Sequence, residues 1–351
     1  MALRRRKPRA PRPENWPRPQ FGPDLTLEDV PPTREEDPEL WEVRDALDGL
    51  EVCARLPEVI RETFDQIYDG QRTGRWDGDQ LNKTEKTHVG TLIQINLQKE
   101  LDLADGDDLD YKIAGIEVDC KWSRLVYGWE IPGEMYAKHP QLALTVWGSD
   151  YTSRWAAGLI RIDQHVLKPP GKQRDGKRRL NDLGCRSILW LGEGDLVANT
   201  LLGLPADQQR RILGQRSGQQ SVNSLFRELP RVLVNRATVL TAAQQDDCLK
   251  RVRDARKHLR SEGIVIFGHY APHPELAAGL GLPRPTKGRF VSVRLAPAGS
   301  TAGDASSNDT ATATEDRTRT IKLQGSHWRL ATAADEPVEA PVLPAQGREP
   351  E

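Results

Sequence analysis

The sequence lacks several features that would assign a protein to a class at once. Its four cysteines lie more than sixty residues apart and form no CxxC pair, which excludes a zinc ribbon and argues against a disulfide framework. No apolar run is long enough to span a bilayer, and no apolar core of a secretory signal follows the basic amino terminus. With 50 basic and 51 acidic side chains, net charge favours neither a nucleic-acid nor a membrane partner. We therefore expect a protein of the reducing cytoplasm with no membrane partner.

The charge that is present is strongly patterned along the 351 residues. Residues 1–20 carry seven basic groups and one acid, and the following residues to Asp45 carry nine acids against two arginines. Such blocks beside many prolines are typical of disordered segments. We therefore expect a disordered tail over residues 1–38 and a mostly disordered tail over 298–351, where only "TIKLQGSHWRL" has strand-like content and is a candidate for anchoring.

Between these tails the hydrophobic spacing predicts two folded units. Apolar residues three and four apart predict helices in "ELWEVRDALDGL", "LPEVIRETFDQIYDG" and "KTEKTHVGTLIQINLQKEL". Mostly antiparallel strands follow, in "LDYKIAGIEVDCKWS", "QLALTVWG", "SRWAAGLIRI" and "RSILWLGEG". Helices before such strands predict an α/β domain over residues 39–200. A second unit over 204–297 is predicted from several helices and the strands "GIVIFG" and "GRFVSVRL".

The stretch from Leu109 to Ser123 predicts a short β-hairpin with one charged face. A two-residue turn at Ala114 and Gly115 pairs Asp110 with Asp119, whereas a three-residue turn sets Asp110 opposite Cys120. With the shorter turn, the charged face consists of Asp110, Lys112, Glu117, Asp119 and Lys121. The buried face then consists of Tyr111, Ile113, Ile116, Val118 and Cys120.

This charged face fits the chemistry of a metal-dependent nuclease. Two carboxylates held opposite each other destabilise a sheet unless a divalent cation lies between them, and Mg²⁺ is typically held by one or two carboxylates. Lys121 lies on the same side and can position or activate a water beside a scissile phosphate. The competing interpretation is an ordinary strand with charges on its solvent side, and spacing alone favours it, because short motifs often match by chance.

The helix "CLKRVRDARKHLR" in the second unit predicts a DNA-contacting face. Helical spacing places Leu249, Val252, Ala255 and Leu259 on one stripe. The neighbouring basic stripe consists of Lys250, Arg253, Lys257 and Arg260, with Arg256 at its edge. The segment "NRATVLTAAQQDD" supplies a preceding helix and turn, and Lys287 and Arg289 lie in a following wing, an order that favours DNA binding. A solvated basic face on an ordinary helix is the alternative.

A loop in the first unit is also strongly basic. Between Lys168 and Arg179 it carries six basic residues, among them Lys172, Arg174, Lys177 and Arg178. Its cations can neutralise DNA phosphates next to the cleavage site. A flexible solvated loop with no such role is an equal competitor.

These segments together identify a family resemblance. The hairpin resembles the D-x(8)-D-C-K signature of NaeI-type restriction endonucleases, a branch of the PD-(D/E)xK nucleases. Further similar segments follow in the same order over about residues 40–295: "NKTEKT", "GTLIQINL", "LTVWGSDYTSRWAAGLIR", "RDGKRRL", "VNRATVLTAAQQDD" and "EGIVIFGH". The resemblance implies a restriction-endonuclease-like core, with a mixed sheet flanked by helices, and a C-terminal winged-helix domain. It implies Asp110 and Asp119 as metal ligands and Lys121 as the catalytic lysine, and we add Cys120 to the expected ligands.

The sequence departs from this family at residue 94. The family carries a glutamate sixteen residues before the first aspartate, and this chain has Gln94 there. An amide oxygen can bind a cation but contributes no charge and cannot take a proton. We count Gln94 among the catalytic positions, expect weaker or differently metal-dependent activity, and regard Glu117 as a candidate substitute.

The resemblance also implies a function. It predicts a type II restriction endonuclease that uses Mg²⁺ to cut both strands of specific duplex DNA, with a second, activating DNA copy bound by the winged-helix domain. We expect a homodimer. Two alternatives stay open: a strand-nicking repair endonuclease, and a DNA-binding protein whose nuclease site has decayed, for which Gln94 is the evidence.

Overall fold

The computed structural model describes residues 30–137, 139–170, 176–299 and 319–344, which form two compact units. The N-terminal unit comprises residues 30–68 and the described part of 77–203. The C-terminal unit comprises 69–76 and the described part of 204–344. The chain therefore passes from one unit to the other three times, whereas the sequence predicts one crossing near residue 200. No helix in the described ranges is long and apolar enough to cross a membrane.

The N-terminal unit is a mixed six-stranded sheet flanked by helices. Its strands follow one another in chain order, and only the third and fourth are parallel. The strands are β1 (Ala104–Asp105), β2 (Tyr111–Ile113), β3 (Ile116–Ser123), β4 (Gln141–Ser149), β5 (Arg154–Ile162) and β6 (Leu189–Asp195). The helices are α1 (Pro38–Gly49), α2 (Val52–Tyr68), α4 (Lys83–Leu101), α5 (Glu134–Ala137) and α6 (Asp182–Arg186), with a 3₁₀ turn at Gly78–Gln80. The predicted α/β core with a mixed sheet is confirmed.

Helix α4 begins and ends where local chemistry requires. The Asn82 side chain accepts from the N–H of Glu85, whose carboxylate accepts from the N–H of Asn82, and this capping box satisfies two donors of the first turn. Four apolar side chains spaced four apart are buried against the sheet and α2: Val89, Ile93, Leu97 and Leu101. Each contributes roughly 1.5–3 kcal/mol of burial free energy. Because these buried side chains fix the orientation of α4, they also fix the position of Gln94 beside the hairpin.

The hairpin has the two-residue turn that the sequence predicts. Ala114 and Gly115 both have positive φ, 51° and 82°, as a type I′ turn requires, and Gly115 adopts this conformation without strain. Tyr111 pairs with Val118, and Ile113 with Ile116. The three-residue alternative is therefore wrong. Strand β2 starts at Tyr111, so Asp110 precedes it and lies outside the ladder of main-chain hydrogen bonds.

The two faces of the sheet bury different side chains of β3. Val118 and Cys120 pack on the face that α2 and α4 cover. Asp119 aligns in register with Ala143 of β4, which packs on the opposite face with Met135 of α5. Asp119 and Lys121 therefore share the α5 side, as alternation along a strand dictates.

The C-terminal unit combines short helices with a second antiparallel sheet. Strand β9 pairs with β7, β8 and β11, and β11 pairs with β10. The strands are β7 (Leu233–Asn235), β8 (Ile264–Phe267), β9 (Arg289–Pro297), β10 (Thr320–Leu323) and β11 (Ser326–Leu330). The helices are α3 (Gly70–Thr73), α7 (Ala206–Leu213), α8 (Gly218–Glu228), α9 (Arg236–Ala243), α10 (Cys248–His258) and α11 (His273–Gly279), with a 3₁₀ turn at Arg260–Glu262.

Two segments of this unit lie outside its predicted range. Strands β10 and β11 come from the tail predicted to be mostly disordered, because Ile321, Leu323 and Leu330 are buried in the core beside β9. Both strands fall within "TIKLQGSHWRL", the segment of the tail that the sequence marks as a candidate for anchoring. Helix α3 lies between α2 and the 3₁₀ turn at Gly78 in the sequence, far before residue 204, but it packs on α9.

Candidate active site

Two elements, α4 and β3, converge on the carboxylate of Asp110. Its Oδ1 accepts a hydrogen bond from Nε2 of Gln94 on α4, at 2.6 Å. Its Oδ2 accepts from the main-chain N–H of Cys120 on β3, at 2.7 Å. Both contacts lie within normal hydrogen-bond distance or slightly below it, so they fix the orientation of the side chain. Asp110 is thus held against β3 although it is not part of a strand.

Asp119 is the buried acid of the site. Its side chain is almost fully covered, and Nζ of Lys121 lies 2.5 Å from its Oδ2. Burial is the main cause that raises the pKa of Asp119 to about 6; Lys121 opposes this rise, and the charges of Asp110 and Glu134 make smaller contributions to it. The unfavourable interaction between the two aspartates is the electrostatic pattern that a bound cation relieves.

A divalent cation fits these residues. Oδ2 of Asp119 is paired with the ammonium of Lys121 at 2.5 Å and has no other partner among the described residues. The ammonium of Lys121 offsets one negative charge, so the two carboxylates of Asp110 and Asp119 keep a net negative charge that a bound cation would offset. Two carboxylates match the preference of Mg²⁺, which usually keeps waters and substrate phosphate oxygens as its remaining ligands.

Comparison with known proteins identifies the family to which the chain belongs. The profile of the family described as "Restriction endonuclease NaeI" matches residues 51–340. The chain belongs to the NaeI restriction endonuclease family. The "Type II restriction enzyme NaeI" of Lentzea aerocolonigenes is 42% identical over 327 residues, which cover 90% of this chain and 97% of that enzyme. The predicted family is therefore confirmed, and the match extends past residue 295 through β10 and β11.

The position of the Cys120 thiol contradicts the role of metal ligand that we expected for it. It points away from Asp119, into the core that α2 and α4 cover, and burial raises its pKa to about 12. A thiol must lose its proton to bind a metal. The described residues also contain no group of three or more His, Cys, Asp or Glu side chains that could hold an ion. The observed role of Cys120 is its main-chain N–H, which positions Asp110.

Gln94, at the position where the family resemblance implies a glutamate, acts as a donor to Asp110. Glu117 does not replace that glutamate. Its carboxylate accepts from the main-chain N–H groups of three consecutive loop residues, Asp107, Asp108 and Leu109. These bonds lower the pKa of Glu117. The expectation that Glu117 takes over the role of the glutamate missing at residue 94 is therefore wrong.

Sequence reasoning missed one acid of the site, Glu134. It begins α5, and its charge contributes to the raised pKa of Asp119. Its motif gives no signal, since a single glutamate after "PG" and before a four-residue helix is an ordinary loop pattern.

The basic loop of the N-terminal unit is only partly described. Lys172 and Arg174 lie outside the described residues. Lys177 is 4.0 Å from Glu130. The guanidinium of Arg178 donates to the carbonyls of Leu167 and Lys168 and lies over the ring of Tyr136. Arg178 therefore holds the loop together, which differs from the predicted role of binding phosphate.

In α10 the predicted basic stripe divides into two groups. Lys250, Arg253 and Lys257 are exposed, and we call them the α10 basic face. Arg256 is different: its Nε donates to the carbonyl of Ile266, and burial lowers its pKa. Leu249, predicted to be in the core stripe, is 44% exposed. The helical spacing therefore mispredicts both residues: Leu249 is exposed instead of buried, and Arg256 is engaged with the protein instead of free at the edge of the basic stripe.

Arg260 and the wing residues complete the predicted DNA-binding set. Nε of Arg260 donates to the carbonyl of Ala340, and its Nη2 lies 2.9 Å from Glu339, so it anchors the C-terminal segment. That engagement contradicts a free DNA-contacting role for Arg260. Lys287 is exposed just before β9, and Arg289 is half-buried at the start of that strand.

Proposed function

We propose that this protein cuts both strands of duplex DNA at a specific sequence with Mg²⁺ held by Asp110 and Asp119. As a member of the NaeI family it is a type II restriction endonuclease, a site-specific deoxyribonuclease. One observation carries the mechanistic proposal. The carboxylate of the buried Asp119 lies 2.5 Å from Nζ of Lys121, on the strand whose main chain also orients Asp110.

The protein side chains have distinct tasks in this mechanism. Asp110 and Asp119 would hold the cation, and Gln94 and the N–H of Cys120 keep Asp110 oriented toward it. When bound, Mg²⁺ polarises a phosphoryl oxygen and makes a water more acidic. Nζ of Lys121, already at the carboxylate of Asp119, can orient the attacking water or donate to a phosphate oxygen as its negative charge grows.

Incubation of supercoiled plasmid with the protein and Mg²⁺ tests this function. We expect linear DNA whose ends map to one sequence, with no cleavage in excess EDTA. A nicked circle as the end product would instead indicate a strand-nicking enzyme. Intact plasmid that is nonetheless bound by the protein would indicate a DNA-binding protein with a decayed nuclease site.

We further propose that the protein acts as a homodimer. The described chain offers one hairpin with this arrangement, and one such site cuts one strand at a time. Cleavage of both strands in a single encounter therefore requires a second site from another copy. Sedimentation of the free protein should give about twice the chain mass of 39.3 kDa.

We also propose that the C-terminal unit is a winged-helix DNA-binding domain that holds a second, activating DNA copy. Its elements follow the order α8, β7, α9, α10, β8, α11 and β9, and β7 and β8 both pair antiparallel with β9. Three exposed cations on one helix and Lys287 near the wing support contacts with phosphate.

Neutralising the α10 basic face should weaken DNA binding in a salt-dependent way. Each phosphate contact contributes a slope of about −0.9 to the dependence of log K on log salt. In the full chain, Lys250→Gln, Arg253→Gln and Lys257→Gln together should flatten that slope by up to about 3 units. Fluorescence anisotropy without divalent metal, at several salt concentrations, measures it.

A matched triple variant controls for net charge. Arg210, Arg216 and Lys322 are exposed cations on other parts of the same unit, and their change to glutamine removes the same charge. That variant should keep a slope close to the wild-type value. Equal slopes for the two triple variants would argue against α10 as the DNA-binding helix.

A further inference from the structure

The loop before Asp110 is built around the side chain of Glu117. Oε1 of Glu117 accepts from the N–H of Asp107 at 2.9 Å, and Oε2 accepts from the N–H groups of Asp108 and Leu109 at 3.2 and 2.9 Å. Three successive N–H groups that converge on one anion form a nest, a conformation that normally binds external anions. Here a side chain of the neighbouring strand β3 fills it.

The loop closes so tightly that its first residue must be glycine. A Cβ on Gly106 would collide with the carbonyl of Leu109 and would lie 2.6 Å from Oε2 of Glu117. Lys112, the cross-strand neighbour of Glu117, contacts Asp107 at 2.5 Å and Glu117 at 3.7 Å.

This arrangement determines where Asp110 can lie. Asp110 is the residue directly after the nest and has no place in the strand ladder. Glu117 lies two residues before Asp119 on the same strand. The carboxylate of Glu117 therefore ties the main chain that carries one proposed ligand to the strand that carries the other.

We propose that Glu117 is a positioning residue for metal binding, which sets the separation of Asp110 and Asp119 by holding the N–H groups of residues 107–109. This inference rests on the proposed metal site. It gives Glu117 a role that acts through Asp110, without contact with the metal. The amide of Gln94 orients the same carboxylate from the other side, and the two act on different parts of Asp110: Gln94 on the side chain and Glu117 on the main chain.

Calorimetric titration of the full chain with Mn²⁺, without DNA, tests this role. Manganese suits carboxylate ligands and needs no turnover to be detected. Glu117→Gln keeps the size of the side chain but loses its charge and presents an N–H₂ group to the nest. It should weaken Mn²⁺ binding roughly 10- to 100-fold, the usual effect of losing a residue that orients a ligand. Glu117→Asp keeps the charge and is one methylene shorter, so its affinity should fall between the two proteins.

Two controls separate this role from a purely structural one. Lys112→Gln removes a charge from the same hairpin face but leaves the three main-chain bonds, and should bind Mn²⁺ within about twofold of wild type. Thermal melting in EDTA reports the stability of each variant. A Glu117→Gln protein that melts lower yet binds Mn²⁺ like wild type would overturn the proposal.

Asp119→Asn, titrated in parallel, separates failure of this proposal from failure of the metal site. Loss of Mn²⁺ binding in Asp119→Asn with wild-type binding in Glu117→Gln overturns the role of Glu117 alone. Wild-type binding in Asp119→Asn would instead show that the proposed site is wrong. If Glu117→Gln does not fold, Glu117→Asp decides the question: Mn²⁺ binding equal to wild type overturns the proposal.

Discussion

Asp119→Asn should reduce DNA cleavage by at least about 10³-fold while the protein still binds duplex DNA. The change keeps the shape of the side chain and removes the charge that would hold the cation at a buried position. Metal-ion catalysis supplies several kcal/mol of transition-state stabilisation, and about 1.4 kcal/mol corresponds to a tenfold rate change. Lys121→Ala should have an effect of similar size, because it removes the cation next to Asp119. Single-turnover cleavage of a short duplex measures both.

DNA binding should persist in these variants because the residues proposed to contact DNA lie on other elements. In the absence of metal, Asp119→Asn should even bind duplex somewhat more tightly, since one negative charge near the phosphates is gone. Lys112→Ala is the matched control for Lys121→Ala: it removes a lysine from the same hairpin, and it should cut at nearly the wild-type rate. Cleavage by Asp119→Asn at close to the wild-type rate would contradict the assignment of the hairpin as the active site.

Gln94→Glu should lower the Mg²⁺ concentration needed for half-maximal cleavage by roughly tenfold, which corresponds to about 1.4 kcal/mol of metal binding. Nε2 of Gln94 is 2.6 Å from Oδ1 of Asp110. A carboxylate in its place faces another carboxylate, and this repulsion favours a cation between them. The same repulsion should make Gln94→Glu melt at a lower temperature than the wild type in EDTA. With Mg²⁺ bound, the difference in melting temperature between the two proteins should be smaller. Mg²⁺ titrations of cleavage rate and of melting temperature measure the two effects.

Helix α4 offers a matched control one turn further on. Nε2 of Gln98 donates to Oδ1 of Asp105 at the same distance, 2.6 Å, outside the proposed site. Gln98→Glu therefore creates a similar repulsion but should not change the Mg²⁺ dependence of cleavage. If Gln94→Glu folds and cuts no faster at any Mg²⁺ concentration, the amide is not a damaged catalytic position, and the site has adapted to it.

The parts of this site that sequence predicts correctly are those that depend on neighbours along the chain. The range of α4 follows from its apolar spacing and the capping pair Asn82 and Glu85. The pairing of β2 with β3 follows from a turn of two residues and the alternation of apolar side chains. Both patterns are local, so the competing arrangements are few.

The errors concern side chains whose partners are remote or belong to the main chain. Glu117 shares a face with Asp119, but its partners are N–H groups of a loop, which no pattern of side chains reveals. Helical spacing separates the faces of α10, but it does not say against which face β8 packs, and that packing buries Arg256. Leu249 is exposed because the buried stripe of the helix starts only at Val252.

The path of the chain also limits how this enzyme can be recombined. Helix α3 belongs to the C-terminal unit, where Gly70 packs so closely on Thr241 that any side chain would collide, and Gln71 bonds to Asp246 at 3.0 Å. A single break at residue 203 therefore leaves the C-terminal unit without one of its helices. A chimera that exchanges this unit between family members must exchange residues 69–76 together with those from 204 onward. Such an exchange needs three crossover points, on either side of residues 69–76 and at residue 203, instead of one.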